Sequence, residues 1–136
     1  MGAEIETRTA VYSVIEKGIL RVVMKENVNV TLEDVVENYE TTLQLAKGKR
    51  YAALVEGQEH VTIDDNASEF SSREETFKDV IALAIVIKSL SARLLGVFLM
   101  NLNKRKHNAD IKLFSNKDDA LLWIQKKVEE DRTKFA

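Results

Sequence analysis

The chain has 136 residues, of which 45% are hydrophobic and 31% charged, with a formal net charge of -2. Such a length makes one domain with a core of its own, and so balanced a charge sets up no field that would attract nucleic acid or an acidic membrane. Without Cys, disulfides, thiolate chemistry and cysteine-ligated metals are excluded; with no apolar run near the ~18 residues that span a bilayer and no basic-then-apolar leader, a cytoplasmic protein without membrane insertion is expected.

Residues 1–7 are polar and read as a flexible N terminus, as do residues 132–136 at the other end, leaving a single domain over 8–131. Val11–Glu16 and Ile19–Lys25 are strand-like and separated only by Lys17-Gly18. Glycine at the second turn position supplies a positive φ without steric cost, so the pair predicts a tight antiparallel hairpin. Thr31 with Asp34 three residues on reads as a capping box built on the shorter acid. Leu32, Val35, Val36, Tyr39, Leu43 and Ala46 then follow at helical spacing as far as Lys47-Gly48, a glycine stop. Tyr51–Val55 is an apolar strand, Gln58–Asn66 a polar loop, and Ala67, Phe70 and Phe77 fall on a second helix. Ser71 and Ser72, each with a Glu three residues on, suggest capping chemistry there.

The chain is organised around Val80–Ile87, apolar throughout and rich in β-branched residues. A run without alternation must be dry on both faces, which marks a parallel strand covered by helices on either side. A third helix follows over Leu90–Asn103, then a short strand at Ile111–Phe114 and a last helix from Ser115 or Asn116 carrying Ala120, Leu121, Trp123, Ile124 and Val128. Alternating strands and helices with right-handed crossovers place helices on both faces of a mixed sheet. The expected fold is therefore α/β, a single-domain mixed sheet of four or five strands with about four helices.

This order, an opening hairpin and then alternating helix and strand, resembles the SpoIIAA-like or STAS fold over about residues 10–130. Ala84-Ile85-Val86-Ile87-Lys88-Ser89 before an apolar helix, and Phe114 with Ala120-Leu121 and Trp123-Ile124, are similar to the family's inner strand and closing elements. The resemblance implies an anti-sigma factor antagonist switched by phosphorylation of an Asp-Ser-Ser/Thr-Gly motif. Here the matching segment reads Val61-Thr62-Ile63-Asp64-Asp65-Asn66-Ala67-Ser68-Glu69, so no phosphosite carries across. Lipid-transfer domains of the CRAL-TRIO type are similar to other members and bind apolar ligands, but this chain is much shorter, and its sequence gives no support for a lipid cavity.

Ligands of open α/β sheets settle outside the carboxyl ends of the strands. His60, Asp64 and Asp65 crowd the loop at that end and are the candidate ligand-binding residues, although their spacing matches no metal motif. The basic groups Lys47-Lys49-Arg50 and Lys104-Arg105-Lys106-His107 gather at the amino end of the sheet, where helix C-termini favour cations. No glycine-rich phosphate loop is present, and neither His60 nor His107 stands near a recognisable nucleophile, so no enzyme, cofactor or metal is expected. Between Arg93 and Asn101 no residue is polar. One sheet-facing stripe does not use all of that apolar surface, so Val97, Phe98 and Met100 are the candidate interface of a homodimer. The leading expectation is a cytoplasmic, non-enzymatic interaction or regulatory module; the alternative is a small-ligand or anion binder at the strand carboxyl ends.

Overall fold

The computed structural model describes residues 4–71, 73–87 and 109–134. The elements in chain order are strands β1 (Glu4–Glu6), β2 (Ala10–Glu16), β3 (Ile19–Met24) and β4 (Asn29–Val30), helix α1 (Leu32–Ala46), strands β5 (Tyr51–Glu56) and β6 (Thr62–Ile63), and helix α2 (Asp65–Ser71). A 3-10 turn (Glu74–Phe77), strands β7 (Val80–Val86) and β8 (Asp110–Phe114), and helix α3 (Lys117–Lys134) complete the described chain. Among the described residues the main sheet has six strands in the order β1-β2-β3-β5-β7-β8, and β4 pairs with β6 in a separate two-stranded sheet. The α/β class holds, with more strands than the four or five expected.

The hairpin forms as its turn chemistry dictates: β2 and β3 pair antiparallel, and Gly18 takes a φ of 83°. From β3 onward each neighbour is parallel, β3 to β5, β5 to β7 and β7 to β8. The apolar run Val80–Val86 is thus an interior parallel strand, one in from the β8 edge; the middle of the sheet is β3 and β5. Its two faces meet different partners. Ala82, Ala84 and Val86 join Ala52 and Leu54 beneath Ala120, Ile124 and Val128 of α3. Ile85 joins Tyr51, Ala53 and Phe77 on the opposite face, where Leu45 and Ala46 of α1 also pack. Helices therefore cover both faces, as the unbroken hydrophobicity requires.

Thr31 caps α1 as expected: its Oγ1 accepts from the Asp34 amide, and Asp34 Oδ2 accepts from the Thr31 amide at 2.8 Å. The helix stops where Lys47 and Gly48 take φ values of 54° and 75°. Its inward stripe differs from the one that apolar spacing suggests. Leu32 and Leu43 are exposed, while Val35, Asn38, Thr42 and Leu45 share the sheet-facing side. Two polar residues are accepted there because the N-terminal segment satisfies Asn38. Its Nδ2 donates to Thr9 Oγ1 at 3.0 Å, and Thr7 Oγ1 donates to its Oδ1 at 2.8 Å. The same bonds bury Thr7 and Thr9. The N terminus, expected to be flexible, accordingly contributes an edge strand: Glu4–Glu6 pairs with Val11–Ser13, and Lys25 Nζ holds Glu6 at 2.6 Å.

Three more expectations change in detail. The polar loop contains β6, held because Thr62 Oγ1 donates to Asn29 Oδ1 at 2.6 Å and Asn29 Nδ2 donates to Asp64 Oδ1 at 3.0 Å. The second helix is split into α2 and the 3-10 turn. Ser71 does not cap that turn, since its hydroxyl donates back to the Ala67 carbonyl at 3.0 Å. At the other end Asn116 does cap α3, accepting from the Asp119 amide at 2.8 Å. The expected helix Leu90–Asn103, Ser72 and the basic group Lys104–His107 lie outside the described residues. Among the described residues no helix is long and apolar enough to cross a membrane.

Candidate functional site: an apolar cavity under helix α1

Between the α1 face of the sheet, α1, α2 and the β6 segment lies a cavity of about 250 Å³. Its floor is the inward row of the sheet, with Tyr12 from β2, Val22 from β3, Ala53 and Val55 from β5, and Leu83 and Ile85 from β7. α1 contributes Val35, Asn38, Tyr39 and Thr42 as one wall, and Val61, Thr62 and Ile63 close the end nearest the strand carboxyl termini. The cavity exists because small Ala53 sits at the centre of the floor while polar Asn38 and Thr42 face it from the helix. A larger apolar pair at those heights would interdigitate and fill the space.

Among the described lining residues none carries a charge. Most of the polar side chains there are already committed to protein partners. Asn38 is held by Thr7 and Thr9, Thr42 Oγ1 donates to the Asn38 carbonyl at 2.9 Å, and Thr76 Oγ1 donates to the Phe70 carbonyl at 2.9 Å. The tyrosines differ. Tyr12 and Tyr51 are each 5% exposed, and their hydroxyls make no hydrogen bond among the described residues. Burial pushes both phenols well above the usual tyrosine range; the neighbouring Tyr51 hydroxyl adds to this for Tyr12, and Tyr39 adds to it for Tyr51. Both therefore keep their protons and stay available as donors throughout the ordinary pH range. Tyr39 is half-buried and meets Phe70 edge-on, with ring centroids 6.1 Å apart.

The residues expected to bind a ligand lie just outside this cavity. His60 is on an exposed turn with φ 58°, and its Nε2 is 4.0 Å from Glu59 Oε2. Asp64 spends its side chain on Asn29, and its carbonyl accepts from the Ser68 amide at 2.9 Å to start α2. Asp65 is exposed in the first turn of that helix. Among the described residues no three His, Asp or Glu side chains group as metal ligands. The apolar members of the same loop, Val61 and Ile63, form the cavity's end wall. The interface candidates Val97, Phe98 and Met100 lie outside the described residues. Tyr12 and Tyr51 escaped sequence reasoning because tyrosine is an ordinary strand residue. The available signal was parity: each falls on the buried row of its strand, where a phenol needs a partner.

One acid–base pair, Arg8 with Asp34, stands at the start of α1 next to the lining residue Val35. Arg8 Nε donates to Asp34 Oδ1 at 2.9 Å, a second guanidinium nitrogen meets Asp34 Oδ2, and Arg8 also donates to the Asn29 carbonyl at 2.6 Å. The Arg8 hydrogen bonds, with those from Thr31, hold the Asp34 carboxyl well down, at about 2. Arg8, Asp34, Asn29 and Thr62 thus form one chain of polar contacts from the N-terminal turn to the β6 wall.

In comparison with solved structures, the chain is similar to an uncharacterized protein from the DUF3478 family with a SpoIIAA-like fold from Shewanella loihica PV-4. The match has a TM-score of 0.57 and 16% identity, and covers 90% of each chain. That likeness carries the fold, and the SpoIIAA-like resemblance of the sequence is confirmed by it. No curated protein matches. Residues 13–128, which include Tyr51 and nearly all of the cavity lining, match the model of one family, so the chain belongs to the family described as Domain of unknown function (DUF7793).

Proposed function

We propose that this chain is a non-enzymatic, cytoplasmic binding module that holds one small, largely apolar molecule between the sheet and α1. The observation that carries this reading is the cavity of about 250 Å³ with no charged side chain among its described lining residues. Since an engineered void of ~150 Å³ takes up benzene, this one suits a molecule of about ten non-hydrogen atoms. It lies below the ~300–1,000 Å³ usual for drug-sized ligands, and so favours a small molecule over a lipid chain. Binding is favoured over catalysis because the described lining offers hydroxyls and one amide, but no carboxylate, imidazole or amine to move a proton. The reading keeps the ligand-binding alternative and moves it from His60, Asp64 and Asp65 to the apolar floor beside them.

An NMR titration of isotope-labelled protein with cumene tests this. Saturable shifts confined to amides around Tyr12, Ala53, Val55 and Leu83 are expected, and they should weaken in Ala53→Leu, which fills part of the space. Absence of any saturable shift up to the solubility limit contradicts it. A second reading, self-association through Val97, Phe98 and Met100, rests on the unbroken apolar run between Arg93 and Asn101. Sedimentation of wild type and of Val97→Lys/Met100→Lys tests that: a dimer lost in the variant supports it, and a monomeric wild type removes it.

A further inference from the structure

Every polar group on the described wall of the cavity has to be satisfied by something, because a buried hydroxyl without a partner forfeits its hydrogen bond to water. Asn38, Thr42, Thr62, Ser71 and Thr76 find partners within the protein. Among the described residues the hydroxyls of Tyr12, Tyr51 and the half-buried Tyr39 do not, and the two of these that are only 5% exposed are Tyr12 and Tyr51. They come from different strands, β2 and β5, separated by β3. Two such groups around one apolar space are best understood as donors waiting for an acceptor that arrives with the ligand.

Resting on the reading that this cavity holds a ligand, we propose that the ligand is an uncharged molecule with an apolar body and a hydrogen-bond-accepting oxygen, such as a ketone, aldehyde or ester, received by the hydroxyls of Tyr12 and Tyr51. Charge is disfavoured by the described part of the wall. No Lys, Arg or His among the described lining residues would neutralise an anion, and no Asp or Glu would neutralise a cation, so either ion would lose its hydration without compensation. A pure hydrocarbon fits the apolar floor but leaves both phenols unpaired. A neutral carbonyl compound satisfies both demands, and a site built to hydrogen-bond one oxygen discriminates sharply against analogues that lack it.

Three probes of nearly equal size separate these cases: acetophenone, cumene and benzoate, each titrated calorimetrically or by NMR into the full chain. Acetophenone should bind about fivefold or more tightly than cumene, the worth of one net hydrogen bond, and benzoate should not bind measurably. Tyr12→Phe and Tyr51→Phe should bring acetophenone toward the cumene affinity and leave cumene itself unchanged. Both substitutions should leave the melting temperature of the unliganded protein unchanged or raised, because each removes an unpartnered hydroxyl from an apolar wall; a merely structural hydroxyl would lower it. Equal binding of acetophenone and cumene overturns the proposal and leaves the cavity reading standing. Benzoate as the tightest ligand overturns it as well, and no binding of any probe removes both. Should either variant fail to fold, the ratio of acetophenone to cumene in the wild type still decides.

Discussion

The carboxylate of Asp34 accepts from the Thr31 amide and from the Arg8 guanidinium at once, and Arg8 also reaches the Asn29 carbonyl. One helix cap is thereby tied to the turn before β2 and to the β4–β6 pair. Its carboxyl is held at about 2, below the ordinary aspartate range, chiefly by the Arg8 hydrogen bonds. A depressed acid contributes stability that is present above the unfolded value and lost as pH falls through the folded one. Unfolding free energy should therefore decline between about pH 4 and pH 2, by an amount on the order of 1 kcal/mol after discounting for the exposed Arg8 side chain, and the melting temperature should fall with it. Asp34→Asn should be less stable than wild type at neutral pH, and the gap should narrow across that window. A gap that is constant from pH 6 to pH 2 would contradict this role of Asp34.

The two faces of the sheet are packed to different standards, and that difference belongs to the elements. Under α3 the sheet presents Ala52, Ala82 and Ala84, which meet Ala120 of the helix, all of them 0% exposed. Residues without side-chain reach let the helix approach closely, and Ile124 fills what remains. Ala84→Leu should therefore cost ~1–3 kcal/mol through overpacking, and Ile124→Ala ~2–5 kcal/mol through the void it leaves. On the opposite face Ala53 borders the cavity. The same change there, Ala53→Leu, should be close to neutral. Urea unfolding of the three variants checks the contrast, and an Ala53→Leu as damaging as Ala84→Leu would mean that the space is already filled. Ile85→Asp, 2% exposed within β7, should prevent folding, because an unpaired charge there costs several kcal/mol. A soluble, cooperatively melting Ile85→Asp protein would contradict the buried-strand assignment.

At the scale of the whole molecule, the features legible in the sequence were those that local periodicity or turn chemistry dictates. The Gly18 hairpin, the Thr31–Asp34 box, the dry strand Val80–Val86 and the Ala120–Ile124–Val128 stripe all arise from a few neighbouring residues. The features that escaped depend on residues far apart in the chain. Glu4–Glu6 is polar and becomes a strand through β2 and Lys25. Asn38 faces inward only because Thr7 and Thr9 meet it. A cavity is a mismatch among several elements and has no signature in any one of them, so the sequence pointed to the charged loop residues His60, Asp64 and Asp65 beside it. The central claim is that this space receives a neutral apolar ligand whose oxygen meets the tyrosines. Its most direct test is a crystal structure of the protein soaked with acetophenone. Density bounded by Ala53, Val55 and Leu83, with the ketone oxygen within hydrogen-bond distance of the Tyr12 or Tyr51 hydroxyl, is the predicted result. A cavity closed by its own side chains, or holding ordered water on both phenols with the ketone absent, would contradict it.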